Sequence, residues 1–328
     1  MLCARSASSG LTQRCLCGAE SRNWQAAFCH AGTRGRRASG TAGRPRRIVP
    51  EMPTTELPET TTLLLSEMDG VLGVTLNRPQ RKNALSALMV SELTNVFTAF
   101  GKRAGVRAIV LRGAGQTFCA GADVKDMQER ATSGPQSQQS PPEQQRAIAV
   151  ENRKIGGLLL AVDAAECPVI TVVEGAVLGG GIGLVCASDV TLAAQDARFG
   201  LPETGLGVVP AQIAPFVVQR IGFAHARRLM LTGARLTAEV AERLGLVHAV
   251  YADAELLEAG LTETLTAIRR CAPGANARTK RLLFAQRQLE AAAALDLAAQ
   301  VFAEAAVSEE AHEGRSAFLE KRPPRWAQ

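Results

Sequence analysis

What the chain lacks narrows the reading first. Residues 1–51 hold no unbroken apolar run, so they read as neither a secretory signal nor a membrane span. This arm also lacks lysine and is nearly free of acid: nine Arg stand against Glu20 and Glu51, a net of +7. The whole chain carries +6, which leaves the body at −1. The positive excess that a nucleic-acid surface needs is therefore missing from the body, and no nucleic-acid partner is expected. No repeat of fixed period is present. The body has no Cys-x-x-Cys pair; Cys119, Cys167, Cys186 and Cys271 are scattered and read as reduced thiols in a cytosol-like compartment. In the arm, Cys15, Cys17, Cys29 and His30 match no standard finger spacing, and no metal is expected. The dinucleotide-binding glycine pattern fails because Leu184 stands where the third glycine after Gly179 and Gly181 would be needed. The phosphate-binding loop fails for want of Gly-Lys-Ser/Thr.

The arm is rich in Gly, Ala and Ser and has no apolar periodicity, so it should not pack as a domain. Its Arg-rich, acid-poor composition fits a mitochondrial transit segment. It equally fits an over-extended start ahead of Met52-Pro53, which would place a bacterial protein in the cytoplasm and leave the mitochondrial matrix as the alternative.

What is present points to α/β. The chain has 328 residues, 46% of them hydrophobic, enough for one large core or two smaller ones. Leu63–Met68 and Val71–Leu76 read as strands joined by Asp69-Gly70. Ser86 opens a helix with Leu88, Met89, Leu93, Val96, Phe97 and Phe100 at helical spacing. Ala108–Leu111, Pro168–Val173 and Val190–Ala193 read as buried strands, the second running straight into a glycine corner. Residues 128–145 are rich in Gln, Ser and Pro and are expected to be a mobile loop, followed by a helix through Ile148, Ile155, Leu158, Leu159 and Val162. This alternation predicts helices covering a sheet over residues 52–253. From Ala254 to about Phe318, Ala/Leu/Glu/Arg stretches broken at Cys271-Ala272-Pro273-Gly274 predict a helical segment over 254–328 that packs on another subunit.

Two strand-to-helix corners and one carboxylate carry the chemistry. The first corner is Phe118-Cys119-Ala120-Gly121-Ala122-Asp123; the second is Gly175-Ala176-Val177-Leu178-Gly179-Gly180-Gly181-Ile182-Gly183. Glycine permits close backbone approach, and a new helix leaves free N–H groups and a positive dipole end. Two such corners can aim two N–H groups at one oxygen. Alone, the glycine cluster serves equally for tight helix–strand packing. Asp123 reads as a helix cap and Cys119 as a small packed residue, with no His near it in sequence. Glu203, after Pro202 in an otherwise apolar run from Phe199 to Val209, risks desolvation, which raises a carboxyl pKa and suits proton transfer. Without further context it reads as an exposed loop acid.

The order of motifs supplies that context. Leu76-Asn77-Arg78-Pro79, Ala120-Gly121-Ala122-Asp123, Leu178-Gly179-Gly180-Gly181, Phe199-Gly200-Leu201-Pro202-Glu203, Leu231-Thr232-Gly233 and Gly245-Leu246-Val247 resemble the crotonase (enoyl-CoA hydratase/isomerase) superfamily from Leu63 to about Lys321. The resemblance implies a ββα spiral with a C-terminal helical trimerisation segment, assembled as a homotrimer or a hexameric dimer of trimers. It implies an acyl-CoA substrate and no cofactor beyond the coenzyme A the substrate carries. It places the thioester oxygen between the N–H groups of Ala122 and Gly180, with Glu203 as acid/base. It places the adenine at the Ala120 carbonyl and the phosphates near Arg81 and Lys125, with Phe318 and Lys321 reaching in from a neighbouring subunit. Each basic residue by itself is more often a solvated surface charge. Hydratases of this kind carry a second glutamate where this chain has Gly183, so one carboxylate does the work of two or another acid helps. The stretches Gly179–Val185 and Val209–Val218 are similar to those of hydratases acting on branched, glutaconyl-type enoyl-CoA, and Arg130, Arg146 and Arg153 are candidates for the distal carboxylate. A 3-methylglutaconyl-CoA hydratase, a Δ3,Δ2-enoyl-CoA isomerase and a non-catalytic binding protein whose Arg arm touches RNA are the rivals. Glu203 speaks against the last of these.

Overall fold

The computed structural model describes residues 56–133 and 140–328. The expectations for residues 1–51 lie outside the described residues. Strands β1 (Leu63–Met68) and β2 (Val71–Leu76) form the expected antiparallel hairpin, with Asp69 and Gly70 both at positive φ in its turn. β3 (Ala108–Gly113), β4 (Val169–Val173), β6 (Val190–Ala194) and β9 (Ala249–Tyr251) extend it in parallel, giving a six-stranded sheet of order β1-β2-β3-β4-β6-β9. A second sheet is built from three short strands, β5 (Ala176–Leu178), β7 (Arg198–Gly200) and β8 (Arg235–Thr237), in the order β5-β7-β8. Successive passes of the chain lay one strand in each sheet: β4 then β5, β6 then β7. This is mixed α/β, the class the alternation predicted, wound as the spiral the resemblance implied.

Strand periodicity divides the core. Ile109 and Leu111 of β3 face the large core, which also holds Leu72, Leu93, Phe97, Leu159 and Leu184. Ala108 and Val110 point the other way, to a smaller cluster with Ile170, Val172 and Leu192. Helix α1 (Ala87–Phe100), capped by Ser86 accepting from Met89 N, turns Met89, Val90, Leu93, Val96, Phe97 and Phe100 inward. Leu88 is the exception to its expected face: it is exposed, and Val90 takes the inward place. Helices α3 (Pro141–Asp163) and α4 (Gly180–Ala187) complete the large core with α5 (Ala214–Thr232).

Three sequence expectations are corrected. The loop expected over 128–145 is helical at both ends, since α2 runs Val124–Ser133 and α3 begins at Pro141. Gln and Glu are good helix formers, but the Gln, Ser and Pro content without apolar periodicity made the segment read as loop. β4 ends one residue short of the glycine corner at Glu174, and the corner itself first carries β5, in the other sheet, before it bends. Helix α7 (Ala254–Arg270), expected with the segment that packs on another subunit, lies on this chain's own sheet. Its Leu257, Leu261, Leu265 and Ile268 recur at helical spacing and close the smaller cluster. Helix α6 (Ala238–Arg243) precedes β9, while α8 (Pro273–Gln286), α9 (Ala291–Ala306) and α10 (Glu309–Leu319) follow α7. Among the described residues no single helix is long and apolar enough to cross a membrane.

Candidate active site

Both corners lie at one end of a shared ladder. Cys119 N donates to Ala176 O (3.0 Å) and Leu178 N donates to Cys119 O (2.9 Å), so residues 119–122 run parallel to 177–180. On its other side the first corner pairs with Leu85: Leu85 N donates to Gly121 O (2.7 Å) and Asp123 N to Leu85 O (3.2 Å). In a parallel ladder the residue between those two bonds turns its own groups the opposite way. The Ala122 N–H thus faces the side of Leu178 and Gly179 and has no acceptor among the described residues. Gly180 is the first residue of α4, so its N–H has no partner within the helix, and no other described residue accepts from it.

Glycine is required at both bends. Gly121 has φ +91, and a Cβ there would come 2.9 Å from Leu178 O. Gly179 has φ 49 and ψ −115, a region that side chains do not enter without strain, and a Cβ there would lie 2.9 Å from Glu203 Oε1. The absence of both side chains lets the corners touch and brings the carboxylate against them.

Glu203 starts a short 3₁₀ turn, Glu203–Leu206, straight after Pro202 and the buried Leu201. Val208 N donates to its carbonyl (3.1 Å), and Thr204 Oγ1 donates to Met230 O (2.8 Å), tying the turn to α5. The side chain is half-buried. Its Oε2 is shielded from solvent and meets no hydrogen-bond donor among the described residues. Desolvation pushes the carboxyl above the usual carboxylate range, against a smaller opposing effect of a backbone hydrogen bond. A carboxyl of this kind, beside two unpartnered N–H groups, can hold and transfer a proton next to an oxygen on which negative charge develops.

Gly183 settles what occupies the second-glutamate position. It is buried, and a Cβ there would meet Ile213 Cγ2 at 2.6 Å and Leu159 Cδ1 at 3.1 Å. Two methyl groups fill the place of a side chain, so this flank of α4 is an apolar wall.

A clasp that sequence reading missed holds the first corner. Arg78 Nη2 donates to Asp123 Oδ2 (2.9 Å) and Arg78 Nη1 to Ala84 O (2.6 Å). Asn83, fully buried, accepts from Arg78 N (2.9 Å) and donates to Ala114 O (2.8 Å) and Thr117 O (2.6 Å). Asp123 Oδ1 also accepts from Asp126 N (3.2 Å), so Asp123 caps α2 as expected and pairs with Arg78 besides. Burial pushes the Asp123 carboxyl up, but the Arg78 hydrogen bond, the Asp126 N–H and the charges of Arg78 and Arg81 together outweigh it and hold the group below its ordinary range. The one signal for this clasp was an Arg and an Asp within two candidate motifs, 45 positions apart. Cys119 is fully buried, and desolvation pushes its thiol up to about 12, in keeping with a packed residue.

The coenzyme A candidates divide into two groups. Ala120 N donates to Lys82 O (2.9 Å), which brings Arg81, Lys82 and Ala120 together; Lys125 follows in the first turn of α2. Arg81 and Lys125 are exposed at this rim, and Arg81 lies close enough to Asp123 to act on its charge. Phe318 and Lys321 sit at the end of α10, both exposed, where Arg322 and Arg325 pair with Glu313. Of the distal-carboxylate candidates, Arg146 Nε donates to Pro142 O (3.3 Å), Arg153 lines a cavity with Gln212, and the Arg130 side chain lies outside the described residues. Among the described residues no three His, Cys, Asp or Glu side chains gather as metal ligands.

Comparison with known proteins places this geometry in a family. The profile of the enoyl-CoA hydratase/isomerase family matches residues 66–328, and the chain belongs to that family. A 2,3-dehydroadipyl-CoA hydratase of Escherichia coli is 32% identical over 263 residues, covering 80% of this chain and 97% of its own. A mevalonyl-coenzyme A hydratase of Aspergillus fumigatus is 32% identical, covering 78% and 91%. The enoyl-CoA hydratase ACTT6 of Alternaria alternata is 34% identical over 209 residues, and the match spans 64% of its length. Among solved structures, Pseudomonas aeruginosa AtuE shares 54% identity, covering 82% of this chain and all of its own, with a TM-score of 0.77. An enoyl-CoA hydratase/isomerase from Marinobacter aquaeolei shares 45%, covering 81% and 99%, also at 0.77. Enoyl-CoA hydratases of this family need no cofactor beyond the CoA thioester itself.

Proposed function

We propose that this protein is a hydro-lyase that adds water across the 2,3-double bond of a branched glutaconyl-type enoyl-CoA, with isohexenylglutaconyl-CoA as its substrate. The observation that carries the reaction is Glu203: a desolvated carboxyl, one oxygen unpartnered, packed against a corner with free N–H groups. The thioester oxygen sits between Ala122 N–H and Gly180 N–H, which stabilise the enolate oxygen as it forms. Glu203 holds the attacking water; its hydroxyl bonds to C3, and the proton it gives up is delivered to C2. Atoms balance as one water added, and the product is a 3-hydroxy-glutaryl-type thioester. Ala120 receives the adenine, Arg81 and Lys125 the phosphates, and Phe318 and Lys321 complete the site of a neighbouring subunit in a trimer or dimer of trimers. The substrate assignment is supported by the stretches Gly179–Val185 and Val209–Val218 and by the tail from Phe318 to Gln328, which are similar to the corresponding parts of isohexenylglutaconyl-CoA hydratase. A cytoplasmic location belongs to the same proposal.

One observation favours a second reading. The methyl wall at Gly183 leaves a single carboxylate, and a single carboxylate suffices to move a proton between C2 and C4, as an enoyl-CoA isomerase does. Turnover of crotonyl-CoA, 3-methylglutaconyl-CoA and isohexenylglutaconyl-CoA, with the products identified by mass, separates the readings. A gain of one water marks the hydratase and an unchanged mass with a shifted double bond marks the isomerase. The thioester turned over fastest identifies the substrate, and no turnover of any thioester marks a binding protein.

A further inference from the structure

A cavity of about 370 Å³ opens between α3, the start of α5 and the end of α8. Two guanidinium groups line it, and they differ in how they are answered. Arg287 Nη1 bonds to Asp163 Oδ2 (2.5 Å), and its guanidinium lies 5.3 Å from the Phe284 ring centroid, so its charge is met within the chain. Arg153 meets no acceptor among the described residues. Its Nη1 lies 3.0 Å from where a Cβ on Gly156 would be, in space that the glycine leaves open beside Gln212 Oε1. Gln212 is held in place by donating to Asn152 Oδ1 (3.0 Å). The cavity therefore presents one uncompensated positive charge and a fixed amide, beside apolar Phe216.

This cavity borders the reaction corner through one shared wall. Gln212 is followed by Ile213, whose methyl closes over Gly183; Leu159, one helical turn after Gly156 on α3, closes over it from the other side. Gly183 is itself one turn beyond Gly180 on α4. The loop that begins with Glu203 ends at Gln212, so the same ten residues position the carboxylate and the cavity's rim. We infer that Arg153, with Gln212, forms a subsite for the distal carboxylate of a dicarboxylic acyl-CoA. The inference rests on the glutaconyl-type reading for the presence of that second carboxylate. Arg153 is exposed at the cavity's mouth, and a guanidinium–carboxylate bond there discriminates a charged acyl end from an uncharged one by roughly 2–5-fold in affinity.

The test uses saturated thioesters, which cannot be hydrated, so that it does not depend on turnover. Calorimetric binding of glutaryl-CoA and butyryl-CoA is measured on the full chain and on its Arg153→Gln and Arg153→Lys variants. The wild type should bind glutaryl-CoA roughly 2–5-fold more tightly than butyryl-CoA. Arg153→Gln should remove the preference while leaving butyryl-CoA unchanged, and Arg153→Lys should keep part of it. Equal binding of the two thioesters by the wild type, a preference that survives in Arg153→Gln, or an equal loss of both in that variant would overturn the subsite. A failure to hydrate any glutaconyl-type thioester, by contrast, would count against the proposed reaction and leave this binding result standing.

Discussion

Burial of Glu203 has a consequence for stability that needs no substrate. Its folded pKa is raised, so the folded state favours the protonated carboxyl. The sign follows: this group's contribution is most favourable below its unfolded pKa and is lost as pH rises through the folded one. Glu203→Gln removes the penalty of ionisation. The variant should melt a few degrees higher than the wild type at pH 7–8, with the gap closing as pH falls towards about 4, near the ordinary glutamate value. Thermal melts across that range check it; a variant less stable at pH 8 would show the carboxylate to be paired. The same substitution should lower turnover by roughly 10²–10⁴-fold with little change in acyl-CoA affinity, because shape is kept and proton transfer is lost. Gly179→Ala separates positioning from chemistry. A Cβ at φ 49 meets Oε1 at 2.9 Å, so the variant should lose about 1–3 kcal/mol of stability and lower kcat more than it raises KM. At this scale much was legible. Glu203 stood alone in an apolar run, and both corners showed in their glycines. The wall of Ile213 and Leu159 over Gly183 was not legible, because it joins residues from three separate helical segments.

Among the elements, the first corner is held from outside by the Arg78–Asp123 pair rather than by its own sequence. The side chains keep 17% and 6% exposure, so removing one partner strands a mostly desolvated charge. Arg78→Met should cost on the order of 2–4 kcal/mol, scaled down from a fully buried pair because Arg78 retains solvent contact. The Asp123 carboxyl is held low, so its stabilisation is present above the ordinary aspartate value of about 3.9 and lost as pH falls through the folded value beneath it. The difference between wild type and Asp123→Asn should therefore stay constant from pH 5 to 8 and close below about pH 4 in chemical denaturation. A gap that persists in acid would show that the pair contributes nothing specific. The hairpin β1–β2 and the Ser86 cap were legible because turn and cap chemistry are local. Strand β5 was not, since three residues carry no period, and its partner β7 lies about twenty residues on. The polar ends of α2 and α3 were hidden by composition.

The molecule as a whole leaves apolar side chains on its C-terminal helices. Phe302, Val307, Phe318 and Leu319 are each more than 70% exposed, on helices whose inward faces bury little beyond Ala294, Val301 and Ala317. Such a surface is what a subunit interface covers. Light scattering should give a trimer or hexamer. Removal of the chain after Ala294 should abolish both assembly and CoA binding while leaving Glu203 and the two corners in place; a fully active monomer would contradict shared sites. The helical character of this segment was legible, but α7's place on the sheet was not, because an amphipathic face looks the same whether it meets its own sheet or a neighbour. The most direct test of the account is hydration of isohexenylglutaconyl-CoA in ¹⁸O-labelled water. One labelled hydroxyl at C3 is expected, formed with a kcat/KM at least ~10-fold above that for crotonyl-CoA, and lost in Glu203→Gln. An unlabelled product with a shifted double bond, or labelled product formed at wild-type rate by the variant, would contradict it.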